Sequence, residues 1–136
     1  HELCIHPVIQ KAVHLDDVAG KDLALLDDAV FELLVREKLV CAGERPPAEL
    51  NRLARGYVTA VAQSAAVEKL LPLLDENETD MYKRGRNAKS AHAPRSAGAV
   101  EYRRATGLEC LFGYLYLCGR IDRARALFDA ACVPAP

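Results

Sequence analysis

The sequence predicts an all-α protein, a helical bundle, on three observations. Apolar residues recur at three- and four-residue spacing through most of the chain. Alternating runs of β-branched and aromatic residues, the mark of strands, are missing. The prolines fall between the periodic segments, where a helix can tolerate them. At 136 residues the chain is the size of one domain. A chain of that size buries roughly two-thirds of its unfolded surface without help from metals or disulfides.

Residues 1–15, which include His6 and Pro7, read as an irregular extension, and residues 16–136 as a single domain. A first helix is expected from about Asp22 to Ala42, with Leu23, Leu26, Val30, Leu33 and Leu34 at helical spacing and Gly43 as its stop. Pro46 and Pro47 open a second helix, through about Ala54, in the position where the missing N–H does no harm. An alanine-rich third runs from about Tyr57 to Leu71, followed by Pro72. A polar fourth begins near Asp75, with Glu76 and Glu78 complementing its dipole, and ends between Gly85 and Lys89. A loop over Ser90–Gly98 holds Pro94. A long helix then covers about Ala99 to Cys118, ended by Gly119, and a last one about Asp122 to Ala131.

Several function classes drop out. No apolar run approaches the roughly 20 residues of a membrane-spanning helix, so no membrane role is expected. Phosphate loops of the Walker or dinucleotide type are absent. The five cysteines, Cys4, Cys41, Cys110, Cys118 and Cys132, contain no Cys-x-x-Cys pair, which argues against a zinc site. Cys110 and Cys118 sit in an apolar helical run, where a thiol acts as a small hydrophobe, and the set reads as reduced. The four histidines show no ligand spacing. The chain opens on His1, as a fragment or processed form would, so the lack of a signal peptide carries no weight.

Three constellations can carry chemistry. Residues 83–109 hold seven basic side chains against two acids, a net +5 in a chain whose formal charge is −1. Arg84, Arg86 and Lys89 flank Gly85 and Ser90, and guanidinium forks with backbone donors suit phosphate oxygens. The same cluster also reads as a solvated helix end. Only Tyr82 and Tyr102 interleave with it, so contact with a duplex backbone fits better than stacking on single-stranded bases. The second constellation is Asp28, Glu32 and Arg36, four apart on one helical face. It reads either as a surface ladder of ion pairs or as a stripe whose Asp28 faces another acid. The third is Glu109, the only charge in Leu108–Leu117. An acid in such a run needs a partner, with Arg36 the obvious one, or a metal.

Together these constellations resemble the ribonuclease III domain, and within it the short branch called Mini-ribonuclease III. The likeness covers about Gly20 to Leu127. It rests on Asp-Asp-Ala-Val-Phe-Glu-Leu-Leu-Val-Arg (27–36), Arg-Gly-Arg-Asn-Ala-Lys-Ser (84–90) and Ala-Thr-Gly-Leu-Glu-Cys-Leu-Phe-Gly-Tyr-Leu-Tyr-Leu (105–117). The resemblance implies an all-α ribonuclease III-type endonuclease, a homodimer that cleaves double-stranded RNA with magnesium. It further implies a part in maturing large-subunit ribosomal RNA from its precursor. The compartment would be the cytoplasm of a bacterium or the chloroplast of a plant or alga. By motif position Asp28 matches the catalytic aspartate and Glu109 the catalytic glutamate, both as metal ligands. Arg84, Arg86, Asn87, Lys89 and Ser90 match the RNA-facing loop, with Glu32 and Arg36 in support.

The chain departs from the family at Asp27, where glycine is usual. The added carboxylate would either strengthen metal binding or crowd a close contact. Gly56 and Val61 stand where the branch often has basic residues, and Arg104 where it often has an aromatic. The longer enzymes carry further acids at the positions of Lys21, Ala24 and Thr106. A catalytically inert RNA-binding or scaffold protein of the same fold is the alternative expectation.

Overall fold

The computed structural model describes residues 20–88 and 98–134. The expected extension over 1–15, Lys89, Ser90 and most of the loop with Pro94 lie outside the described residues. Six α-helices and a short 3₁₀ turn account for nearly all the rest, and no strand occurs among the described residues. They are α1 (Gly20–Cys41), α2 (Pro47–Tyr57), α3 (Ala60–Leu70), α4 (Glu76–Asn87), α5 (Ala99–Leu117) and α6 (Ile121–Ala131).

α5 is the axis of the bundle. α1, α3, α4 and α6 all pack against it. The reason is in its sequence: Leu108, Leu111, Phe112 and Leu115 are completely buried, covering a wide face of one helix. α1 answers with Val30, Phe31, Leu34 and Val35 at helical spacing. Between them lies an aromatic knot. The Phe31 ring centre is 5.6 Å from Phe112 and 5.7 Å from Phe128 of α6, and Tyr57 at the end of α2 stacks on Phe128 at 5.8 Å. These offset geometries are the ones the ring quadrupole favours.

The helix ends follow local chemistry. Gly119, after α5, takes φ 72°, a left-handed conformation that costs glycine nothing. It lets the Gly119 and Arg120 N–H groups donate to the Tyr116 and Leu115 carbonyls, closing the helix in the usual glycine-terminated manner. Asp75 caps α4 in a full capping box: its carboxylate accepts from the Glu78 N–H at 2.8 Å, and the Glu78 carboxylate accepts from the Asp75 N–H at 3.0 Å. Glu78 is fully buried and does more than complement a dipole. Arg123 of α6 grips it with two nitrogens, at 2.9 and 3.0 Å, and donates to the Leu73 carbonyl as well. That bidentate bond holds the Glu78 carboxyl below the usual carboxylate range, against the opposing pull of burial.

One boundary differs from expectation. Tyr57 ends α2 instead of opening α3, and the chain breaks at Val58 and Thr59. Thr59 supplies the cause: its hydroxyl accepts from the Ala62 N–H at 3.1 Å and so starts a new helix at Ala60.

Candidate active site

Asp28 comes from the middle of α1, Glu109 from the middle of α5 and Gln63 from the first turns of α3. All three line one cleft of about 360 Å³, together with Asp27, Tyr102 and Thr106. The Asp28 and Glu109 carboxyls lie within hydrogen-bonding reach of each other. Gln63, only 2% exposed, donates from Nε2 to Glu109 Oε1 at 3.0 Å. Burial first, and then the neighbouring Asp28 carboxyl, push the Glu109 pKa from 4.5 up to about 8, while the Gln63 amide pulls it down. Glu109, raised by burial and by the neighbouring carboxyl, therefore gives up its proton more readily when a cation stands beside it.

Of the two readings of Glu109, the ion pair with Arg36 does not form. Arg36 instead donates to Glu32 at 3.0 Å and to Asn51 at 3.4 Å, on the exposed side of α1. The four-residue spacing explains this split. Successive steps of four drift round the helix, so Asp28 reaches the cleft while Glu32 and Arg36 make a solvent-facing pair. Neither Glu32 nor Arg36 lines the cleft.

Asp27 crowds a close contact. It is 7% exposed, and its Oδ1 has no hydrogen-bond partner. That oxygen lies over Gly113 of α5, where any Cβ would collide with it. Desolvation, with a smaller push from Asp28, raises its pKa from 3.8 to about 7. Among the described residues no three His, Cys, Asp or Glu side chains meet as a metal cage, so Asp27 does not complete one with Asp28 and Glu109.

The basic cluster sits at the C-terminal end of α4. Arg84 and Asn87 are exposed, and Arg86 is half-buried. The Arg86 guanidinium rides 5.7 Å from the centre of the Tyr82 ring and donates to Asn87 Oδ1 at 3.0 Å. Arg84 touches the Met81 sulfur. Between the two arginines, Gly85 lets α4 approach α5 almost backbone to backbone. A Cβ there would stand 2.5 Å from the Cys110 Cβ and 2.9 Å from the Gly107 Cα. Thr106, Gly107 and Cys110 flank Glu109 on α5, so the arginines lie beside the helical turn that carries the carboxylate.

Gln63 is the cleft residue that sequence reading passed over. Its only signal was a lone amide on the face of an alanine-rich helix that also carries Ala62, Ala66 and Val67.

The Ribonuclease III domain model matches residues 21–120, and the chain belongs to the ribonuclease III family. It is an endoribonuclease of the Mini-ribonuclease III type. It is 47% identical over 109 residues to the Mini-ribonuclease 3 of Symbiobacterium thermophilum, covering 80% of this chain and 84% of that one. The Mini-ribonuclease 3 of Enterococcus faecalis is 42% identical over 112 residues, covering 81% and 85% respectively. The crystal structure of protein FN1578 from Fusobacterium nucleatum superposes with a TM-score of 0.70 at 34% identity, covering 83% of this chain and 90% of that one. Enzymes of this family generally depend on a divalent metal, and the domain implies binding of double-stranded RNA. No helix among the described residues is long and apolar enough to cross a membrane.

Proposed function

We propose that the cleft between α1, α3 and α5 is the catalytic centre of a magnesium-dependent enzyme that hydrolyses phosphodiester bonds in double-stranded RNA. The observation that carries this is the convergence of Asp28 and Glu109, which start 81 positions apart in sequence, within hydrogen-bonding reach in one cleft. The donor set suits a hard cation: carboxylate oxygens, with no thiolate or imidazole in the lining. Two protein carboxylates are enough for magnesium, which keeps several of its waters. When bound, the ion supplies an acidified water and neutralises charge developing on the phosphate.

The chain's own residues do the remainder. Asp28 and Glu109 would hold the ion, Glu109 once it has lost its proton. Arg84 and Arg86, with Asn87, Lys89 and Ser90, contact duplex phosphates and fix the strand without reading its bases. A two-fold dimer would present one such cleft to each strand of the duplex. The substrate would be the precursor of large-subunit ribosomal RNA. The relatives named above are bacterial, which favours the cytoplasm over the chloroplast as the compartment.

The test is cleavage of a labelled RNA duplex in magnesium by Asp28→Asn and Glu109→Gln. Both should lose activity by at least a hundredfold while keeping their helical circular dichroism. Undiminished cleavage by either variant overturns the site. Duplex binding without any magnesium-dependent product in the parent chain would instead favour an inert scaffold.

A further inference from the structure

Gln63 is an unusual side chain for its place. α3 buries Ala62, Ala66, Val67 and Leu70, and an amide among them is unfavourable unless its hydrogen bonds are made. A leucine or methionine would fill the same space without that penalty. What the amide does make is one bond across the fold, from Nε2 to Glu109 Oε1 at 3.0 Å, between residues 46 positions apart.

The backbone beneath it is built to hold that bond. The chain break at Val58–Thr59 resets the helix, and the Thr59 hydroxyl caps it. Gln63 then stands one turn in, its own N–H donating to the Thr59 carbonyl at 3.0 Å. With Oε1 committed to the amide, the Glu109 carboxylate is held in one orientation. The Asp28 carboxyl interacts with the same Glu109 carboxyl, in the same cleft. The choice of an amide also has a chemical logic. A lysine or arginine at 63 would orient Glu109 equally well, but its charge would neutralise the carboxylate pair and repel a cation.

We infer that Gln63 is a positioning residue for the metal centre, fixing the orientation of Glu109 so that its carboxylate and Asp28 present together to a divalent ion. This rests on the carboxylate pair being the metal site, as proposed above. Residues that orient metal ligands in this way typically account for 10–100-fold in metal affinity.

The experiment is titration of the full chain with Mn²⁺, without RNA, followed by the electron paramagnetic resonance of the free ion. The parent should bind Mn²⁺, and Asp28→Asn should abolish that binding. Gln63→Met, near in volume but lacking the donor, should bind 10–100-fold more weakly. Its cleavage of duplex RNA should recover towards the parental rate as magnesium is raised, which a merely structural defect would not do. Should Gln63→Met lose its helical signal, Gln63→Asn, which draws the amide back by one methylene, carries the same expectation. Parental Mn²⁺ affinity in a folded Gln63 variant overturns this inference and leaves the metal site standing. Failure of the parent to bind Mn²⁺ through Asp28 removes both.

Discussion

Asp27→Asn should make the metal-free chain more stable at alkaline pH and leave it unchanged in acid. Asp27 is almost fully buried with Oδ1 unpartnered, and its pKa stands at about 7 against 3.8 for an ordinary aspartate. A folded pKa raised in this way means that the native state prefers the protonated acid. Below about pH 3 both folded and unfolded chains carry the neutral form, and no penalty exists. As pH rises from 3 to 7 the unfolded chain ionises freely while the fold resists, so stability falls; above 7 the loss is complete. Three pKa units at 1.36 kcal/mol each set an upper bound of about 4 kcal/mol, and local relaxation brings the expected figure to about 2–4 kcal/mol. Asparagine keeps the shape and removes the charge. Thermal unfolding followed by circular dichroism, in a chelator, should show a Tm about 8–16 °C higher for Asp27→Asn at pH 8.5, taking roughly 4 °C per kcal/mol for a chain of this size. At pH 3 the two curves should coincide. An equal gain at both pH values would show that the defect is steric, from the contact with Gly113. No gain at pH 8.5 would refute the burial argument.

Two further outcomes follow from other groups. Mn²⁺ affinity should climb between pH 6 and about 8 and then level off, because Glu109, with its pKa raised to about 8, must lose its proton before it can ligate a metal; a flat profile across that range would contradict this. Arg123→Met should destabilise the fold by about 3–5 kcal/mol in urea unfolding, since it strands the fully buried Glu78 carboxylate, and the double variant with Glu78→Gln should recover much of that loss.

The helices were legible in the sequence because their ends are written in local chemistry. Gly43, Pro47, Asp75 and Gly119 mark boundaries through conformations and caps that neighbouring residues determine. The break at Thr59 was equally local but was hidden by the continuous apolar pattern from Tyr57 onward. Long-range pairings were harder. Arg36 was the nearest formal candidate for Glu109, yet which face of α1 meets α5 is decided by Phe31, Leu34 and Val35, and that face carries Asp28 and not Arg36. Glu78 looked like a first-turn acid on a polar helix. The Asp-x-x-Glu spacing from Asp75 was the clue to its inward turn, and nothing in the sequence named Arg123 as its partner. Gln63 was missed because a single amide in an alanine-rich helix has no pattern of its own.

The glycine contact between α4 and α5 has a consequence for where a strand would be cut. Because Gly85 rests on the Gly107 backbone and the Cys110 Cβ, the backbone that carries Arg84 and Arg86 is held at a set distance from the backbone that carries Glu109. On the proposed function, the contact works as a ruler. Phosphates held by the arginines and the phosphate presented to the carboxylates would then stand a set number of nucleotides apart, an interval kept by the close packing of α4 on α5.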